Sequence, residues 1–341
     1  MKTIFVVDDS TVNLTMAKQA LEDKYQVLTL PSAAKMFTLL EKVMPDLILL
    51  DIQMPEEDGF SAIEKLKKNK RTENVPVMFL TASMDEKTEA HGLSLGAVDF
   101  VSKPVSPAVL NNRISHHIHI DEMIRDRTKR LERLQNSVLS VVADMVESRD
   151  KITGWHVERT TAYVRILIES MRQRGVYVED MKNWDLDRVV PSARLHDLGK
   201  IAISDLILNK PSKLTTEEFE KIKTHATEGE QIIDHMIART GEEIFLHHAK
   251  LFAGYHHERW DGKGYPHGLA GTSIPLEGRI MAIADVFDVL VSERPYKKAF
   301  SYDEAVSIIM ADAGKHFDPN IVEVFYEERH KFKEVLMRLC H

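Results

Sequence analysis

The chain has 341 residues, 43% hydrophobic and 29% charged, which excludes a wholly disordered or collagen-like protein and leaves room for two ordinary domains. A net charge of −8, from 45 basic and 53 acidic residues, argues against a dedicated polyanion binder. The single cysteine, Cys340, rules out a disulfide framework or a cysteine zinc site within the chain. Apolar runs such as 46–50 fall far short of the ~20 residues of a membrane-spanning helix, and the N-terminus enters a strand pattern at once, so a cytoplasmic location is expected.

Five β-rich runs mark the first 105 residues: Ile4–Val7, Gln26–Leu30, Asp46–Leu50, Val75–Leu80 and Ala97–Val101. Amphipathic stretches such as Val12–Glu22 and Phe60–Lys68 separate them, and this alternation predicts a doubly wound, five-stranded parallel sheet. Polar residues follow the strands: Asp8 and Asp9 after the first, Asp51 after the third, Thr81 after the fourth and Lys103 after the fifth. Open α/β sheets place their sites at these ends. Three carboxylates gathered there repel one another unless a hard divalent cation such as Mg²⁺ joins them. The Thr81 hydroxyl and Lys103 ammonium both suit a phosphate oxygen. Strand-end aspartates alone would be read as helix caps; five such groups on five regular units are not.

These residues give residues 1–121 the appearance of a receiver domain of a two-component response regulator. The resemblance implies that Asp51 is the phospho-acceptor and that Asp8, Asp9 and Asp51 hold Mg²⁺. It also implies that Thr81 and Lys103 read the phosphoryl group, and that Phe100 fills the aromatic switch position. A sensor histidine kinase or another phosphodonor would be the partner.

From 111 to 148 there is no proline or glycine. Ile120, Ile124, Leu131, Leu134, Val138, Val141 and Met145 recur in steps of three and four, interrupted by Arg127. That heptad predicts a helical, coiled-coil linker over 122–146 that pairs two chains, the alternative being one long helix packed on its own domain. His116, His117 and His119, remote from any carboxylate cluster, are read as helix surface.

Residues 147–341 read as mainly helical, and histidines gather there with carboxylates. The pieces are Glu147, Asp150 and His156; His196-Asp197 with Gly199-Lys200; His225; His256-His257-Glu258 followed by Asp261-Gly262 and Gly264-Tyr265-Pro266; and Asp285, followed by Asp288, Arg294 and Lys297. Five histidines and two aspartates spread over several helices predict an inward-facing site. Imidazole and carboxylate without thiolate suit Fe, Mn, Zn or Ni, and seven ligands exceed what one open ion uses. Each histidine alone would be read as an ordinary core or surface residue. So are His235, His247, His248, His267, His316 and His330, with His247-His248 the decoy for His256-His257.

The combined motifs resemble the HD-GYP family of metal-dependent phosphohydrolases, over about residues 138–330. The resemblance implies an all-α domain that hydrolyses a cyclic dinucleotide, typically cyclic di-GMP, to the linear dinucleotide. It makes His156, His196, Asp197, His225, His256, His257 and Asp285 the metal ligands, with Asp197 and Lys200 at the reacting centre. Tyr265 and Pro266 would line the pocket, and Arg294 and Lys297 would face substrate phosphates. Some members carry a further glutamate ligand four residues before the first histidine; that position is Ile152 here, so two ions are expected, Fe favoured and Mn next. Asp150 is expected to point away. A non-catalytic nucleotide-sensing adaptor and a cyclic GMP–AMP phosphodiesterase are the competing readings. A DNA-binding regulator is excluded because metal ligands stand where a basic recognition helix would be needed.

Overall fold

The structure, a computed structural model, describes residues 1–82, 85–150, 155–241, 243–293 and 298–339. Two compact units meet in the chain between Leu131 and Glu132. The first contains β1 (Thr3–Val7), α1 (Thr11–Leu21), β2 (Gln26–Leu30), α2 (Ala33–Leu40), β3 (Leu47–Asp51), α3 (Gly59–Lys68), β4 (Val77–Thr81), α4 (Glu86–Ser94) and β5 (Asp99–Ser102). A long helix, α5 (Pro107–Glu147), follows.

All strands are parallel, in the order β2-β1-β3-β4-β5. Strand residues alternate between two buried faces. Phe5, Ile48, Leu50 and Phe79 pack on one with Met36 and Ile63, and Ile4, Val6, Leu49 and Met78 on the other with Leu14, Leu110 and Ile114. That two-sided burial is why β3 and β4 are apolar throughout. Ser10, Asp58 and Asp85 cap α1, α3 and α4 by accepting backbone N–H bonds.

Strands three to five start one or two residues later than the sequence pattern predicts and run one residue further, to Asp51, Thr81 and Ser102. The Asp46 carboxylate accepts the Thr3 N–H at 2.8 Å, and Pro76 has no N–H to give the ladder. The shift makes Asp51 and Thr81 the final strand residues. His117 also departs from the surface reading: its Nε2 lies 3.2 Å from Asp99 Oδ2, an oxygen of the carboxylate that also pairs with Arg113.

The expected linker, 122–146, lies inside the single helix α5. Its early residues Leu110, Ile114 and Ile118 belong to the first unit's core, and Leu139 and Val146 to a core cluster of the second. The second unit continues with α6 (His156–Arg174), α7 (Leu186–Ser192), α8 (Asp205–Leu208), α9 (Thr216–Thr240), α10 (Glu243–Tyr255), α11 (Leu276–Val291), α12 (Tyr302–Ala311) and α13 (Pro319–Arg338). Short 3₁₀ turns, 193–195 and 198–202, carry the His196-Asp197 segment. Tyr163, Phe287, Phe325 and Phe332 form an aromatic centre beneath α6, α11 and α13. No helix among the described residues is long and apolar enough to cross a membrane.

Candidate functional site

At the C-terminal ends of β1 and β3, one carboxylate oxygen each from Asp8, Asp9 and Asp51 lie within 4.8 Å of one another. Lys103 Nζ stands 2.7 Å from Asp8 Oδ2 and 2.8 Å from Asp51 Oδ1. Burial pushes the Asp51 carboxyl up, against the pull of the Lys103 charge. For Lys103, burial alone would lower the ammonium, but the two aspartates outweigh it and hold it raised. Thr81 ends the neighbouring strand, and Phe100 is buried with its ring 5.4 Å from that of Phe79. Asp8, Asp9, Asp51 and Lys103 are therefore gathered as the sequence places them.

The second unit brings together the seven histidines and aspartates from three helices, α6, α9 and α11, and two short segments, 196–197 and the turn 256–257 after α10. Ligand atoms of His225, His256 and His257 form one group within 4.8 Å, and those of His156, His196 and Asp285 form another. Asp197 stands between: Oδ2 is 3.4 Å from His196 Nε2, whereas Oδ1 is 3.4 Å from His225 Nε2 and 3.8 Å from His256 Nε2. One carboxylate thus offers an oxygen to each group. Lys200 Nζ lies 2.8 Å from Asp197 Oδ2.

The histidines are oriented from behind. Nδ1 of His196, His225 and His256 is hydrogen-bonded to the carbonyls of Ala193, Ile222 and Phe252, one helical turn back. Nδ1 of His156 is bonded to Asp288 Oδ2 at 2.8 Å, and Asp288 is itself forked by Arg159. Such partners fix the tautomer and turn Nε2 inward. His196 Nε2 is fully buried and has no hydrogen-bond partner, a costly condition unless something else takes its lone pair. Burial drives His256 down to about 3, aided by the charge of His196, and lowers His257 and His225. Burial would raise Asp197, but Lys200 and His196 hold it well below the usual carboxylate range. The lowered imidazoles of His225, His256 and His257 beside an ionised carboxylate, with an orphaned inward nitrogen on His196, fit metal ions in two adjoining sets.

Tyr265 lies over this centre, stacked on His257 at 4.7 Å between ring centroids. Glu258 holds the loop that carries it, accepting the N–H groups of His267, Gly268 and Leu269. Gly264 is required there, since a Cβ would sit 2.4 Å from the Arg259 nitrogen. Glu147, the last residue of α5, is buried beside the centre and lines a small cavity with His156, Asp197 and Lys200. Burial pushes its carboxyl up, against the pull of the charges on His156 and His196.

Arg294, Lys297 and Ile152 lie outside the described residues, as does the Asp150 side chain. Asp288 has no role assigned from the sequence. Its signal is its spacing: three residues after Asp285 on α11, it shares that helix face. The decoy His248 is a core histidine, bonded to Glu277 at 2.7 Å and set against Trp184.

Comparison with known proteins agrees with both halves. The response regulator receiver domain family matches residues 4–115, and the HD domain family matches residues 121–321. The chain is 37% identical, over 99% of its length and 80% of the relative's, to a probable cyclic di-GMP phosphodiesterase of Vibrio cholerae. It is 33% identical, over 97% of its length and 89% of the relative's, to the cyclic di-GMP phosphodiesterase response regulator RpfG of Xanthomonas campestris. This chain belongs to the receiver–HD-GYP response regulators. A 3′3′-cGAMP-specific phosphodiesterase of Vibrio cholerae is also similar, at 37% identity, but over 56% of this chain and 34% of its own. The seven histidines and aspartates that the resemblance implies as ligands stand together in the second unit, and the strand-end acids and Lys103 stand together in the first.

Proposed function

We propose that this response regulator is a metal-dependent cyclic-dinucleotide phosphodiesterase whose rate is set by phosphorylation of Asp51. The observation that carries the reading is Asp197, one ionised carboxylate reaching both histidine groups. Two ions held by His156, His196 and Asp285 on one side and His225, His256 and His257 on the other would share it. Fe or Mn suits this N/O donor set, in which no thiolate competes. Bound metal would supply Lewis acidity and activate a water nucleophile near neutral pH.

The chain's own residues supply the rest. Asp197 keeps the two groups at a fixed spacing and balances positive charge. Lys200 presents a compact ammonium where negative charge grows on the phosphoryl oxygens in an in-line displacement. Tyr265 keeps its phenolic proton, because burial pushes it up, and so faces the pocket as a donor. Opening the ring at one phosphodiester releases a ribose hydroxyl and leaves a linear dinucleotide; a second cleavage would give mononucleotides. Cyclic di-GMP is the favoured substrate because the relatives matched along nearly the whole chain carry it in their names. Cyclic GMP–AMP shares the same phosphodiester and is the second reading, favoured by the cGAMP-specific relative. An adaptor without turnover has no use for an intact ligand set.

In the receiver half, Asp51 would take the phosphoryl group from a histidine kinase or a small acyl phosphate, with Mg²⁺ held by Asp8, Asp9 and Asp51. The added charge of ~1.5–2 would redirect Lys103 and the Thr81 hydroxyl onto the new oxygens. One experiment addresses both halves: product chromatography of iron- and manganese-loaded protein with each dinucleotide, with and without acetyl phosphate. Linear pGpG from cyclic di-GMP is expected, at a rate that acetyl phosphate changes in the wild type but not in Asp51→Asn. Absence of product from both rings rejects the enzyme, and labelling that persists in Asp51→Asn rejects the phospho-acceptor.

A second copy of the chain is the proposed partner of α5. Ile124, Leu131, Leu134, Val138, Val141 and Met145, all at heptad spacing, are exposed, with Leu131 and Leu134 at 66% and 59%. A face of that kind is satisfied by an identical helix in parallel. Replacing Leu131 and Leu134 with glutamate should turn a micromolar dimer into a monomer by light scattering. A wild-type chain that is already monomeric, phosphorylated or not, removes the dimer.

A further inference from the structure

We propose that Arg149, which no motif singles out, is a positioning residue for the reacting centre. Through it the end of α5 holds the Asp197–Lys200 segment in place. The inference rests on the reading that Lys200 and Asp197 act on the phosphodiester.

Arg149 lies two residues past the end of α5, in the turn Ser148–Asp150. Its guanidinium reaches the segment after Lys200 with nearly all its donors. Nη1 donates to Ile201 O at 2.9 Å and more weakly to Lys200 O at 3.4 Å. Nη2 donates to Ile203 O at 2.9 Å, and Nε and Nη2 both reach Asp205 Oδ1, at 3.1 and 2.9 Å. The Arg149 carbonyl in turn accepts Asn209 Nδ2 at 2.6 Å. Side chain and backbone of one residue therefore clamp 200–209 from two sides.

Ile201 O and Ile203 O lie at and just past the end of the 3₁₀ turn 198–202, where terminal carbonyls lack the next turn's N–H groups, whereas Lys200 O already accepts the Ile203 N–H at 3.0 Å. A planar fork with five donors can serve several such carbonyls at once; a lysine ammonium cannot match that geometry. The Asp205 contact adds little on its own, because that carboxylate is mostly exposed. What the clamp fixes is the backbone of Lys200, whose Nζ holds Asp197 at 2.8 Å. Glu147, two residues earlier, faces His156 and Lys200 across the same cavity. The end of α5 thus touches both segments that carry the centre, and α5 is the helix whose first turns belong to the receiver core.

The test uses the full-length, metal-loaded protein and its Arg149→Ala and Arg149→Lys variants. It reads kcat and KM for cyclic di-GMP, metal per chain and the response to acetyl phosphate. Misplacing a reacting group by about 1 Å costs up to about a hundredfold. We expect kcat to fall about 10- to 100-fold in both variants, with KM within threefold and metal content unchanged. Any acetyl phosphate response of the wild type should vanish with it. Unchanged kcat in Arg149→Ala, full rescue by Arg149→Lys, or metal lost in step with activity would each overturn the proposal. The underlying reading has its own control: Lys200→Ala with wild-type kcat refutes the role of Lys200, whatever Arg149 does.

Discussion

Asp197→Ala is expected to lower cyclic-dinucleotide hydrolysis by at least about a thousandfold, equivalent to about 4 kcal/mol of barrier. Of the seven proposed ligands, Asp197 is the one whose two oxygens face different histidine groups. Its loss removes the shared carboxylate and leaves the Lys200 ammonium without its 2.8 Å partner. It also sets the two groups apart as separate three-ligand sites, so metal content should fall below that of the wild type. The receiver half has its own sheet and core, so Asp51 labelling by acetyl phosphate should persist in the same preparation. Elemental analysis, chromatography of products and labelling on one sample separate a local lesion from global unfolding. Near-normal metal and turnover would show that the bridging assignment is wrong.

The two sites were legible for different reasons. Asp8, Asp51 and Lys103 could be read because a parallel sheet delivers every strand end to one edge. A β-run followed by a charge already fixes where that charge goes. The cluster of candidate metal ligands could be read because histidines and acids recur at short spacings, and His196-Asp197 and His256-His257 lie next to each other. Their supports are another matter. Asp288 meets His156 across 132 positions of sequence, and Arg149 meets Asp205 across 56. No local pattern encodes such pairs; they exist only once α6, α11 and the 200–209 segment have packed. The start of β4 was missed by two residues for a local reason, the absent N–H of Pro76. His117 failed for a tertiary one, the approach of Asp99 from β5.

Gly199→Ala tests whether the centre depends on packing as much as on ligands. Gly199 lies two residues after Asp197, on the turn that faces α9. A Cβ there would stand 1.9 Å from the His225 carbonyl oxygen and 2.5 Å from the Gly229 nitrogen. Both are backbone atoms, so no side-chain rotation can relieve the contact; α9 and the 198–202 turn must move apart. Gly229 offers no slack on the other side, where its own Cβ would meet Ala253 at 3.1 Å. His225 sits at the point of contact, so it must shift away from Asp197, His256 and His257. Overpacking of this kind costs typically 1–3 kcal/mol. For a unit of about 200 residues that lowers Tm by roughly 2–12 °C, at about 2–4 °C per kcal/mol. Melts of metal-free protein should therefore show Gly199→Ala below both wild type and Asp197→Ala. Metal titration should show weaker uptake in Gly199→Ala although every ligand is still present. A Gly199→Ala protein with wild-type Tm and wild-type metal affinity would mean that α9 and the Asp197 segment do not meet at this distance.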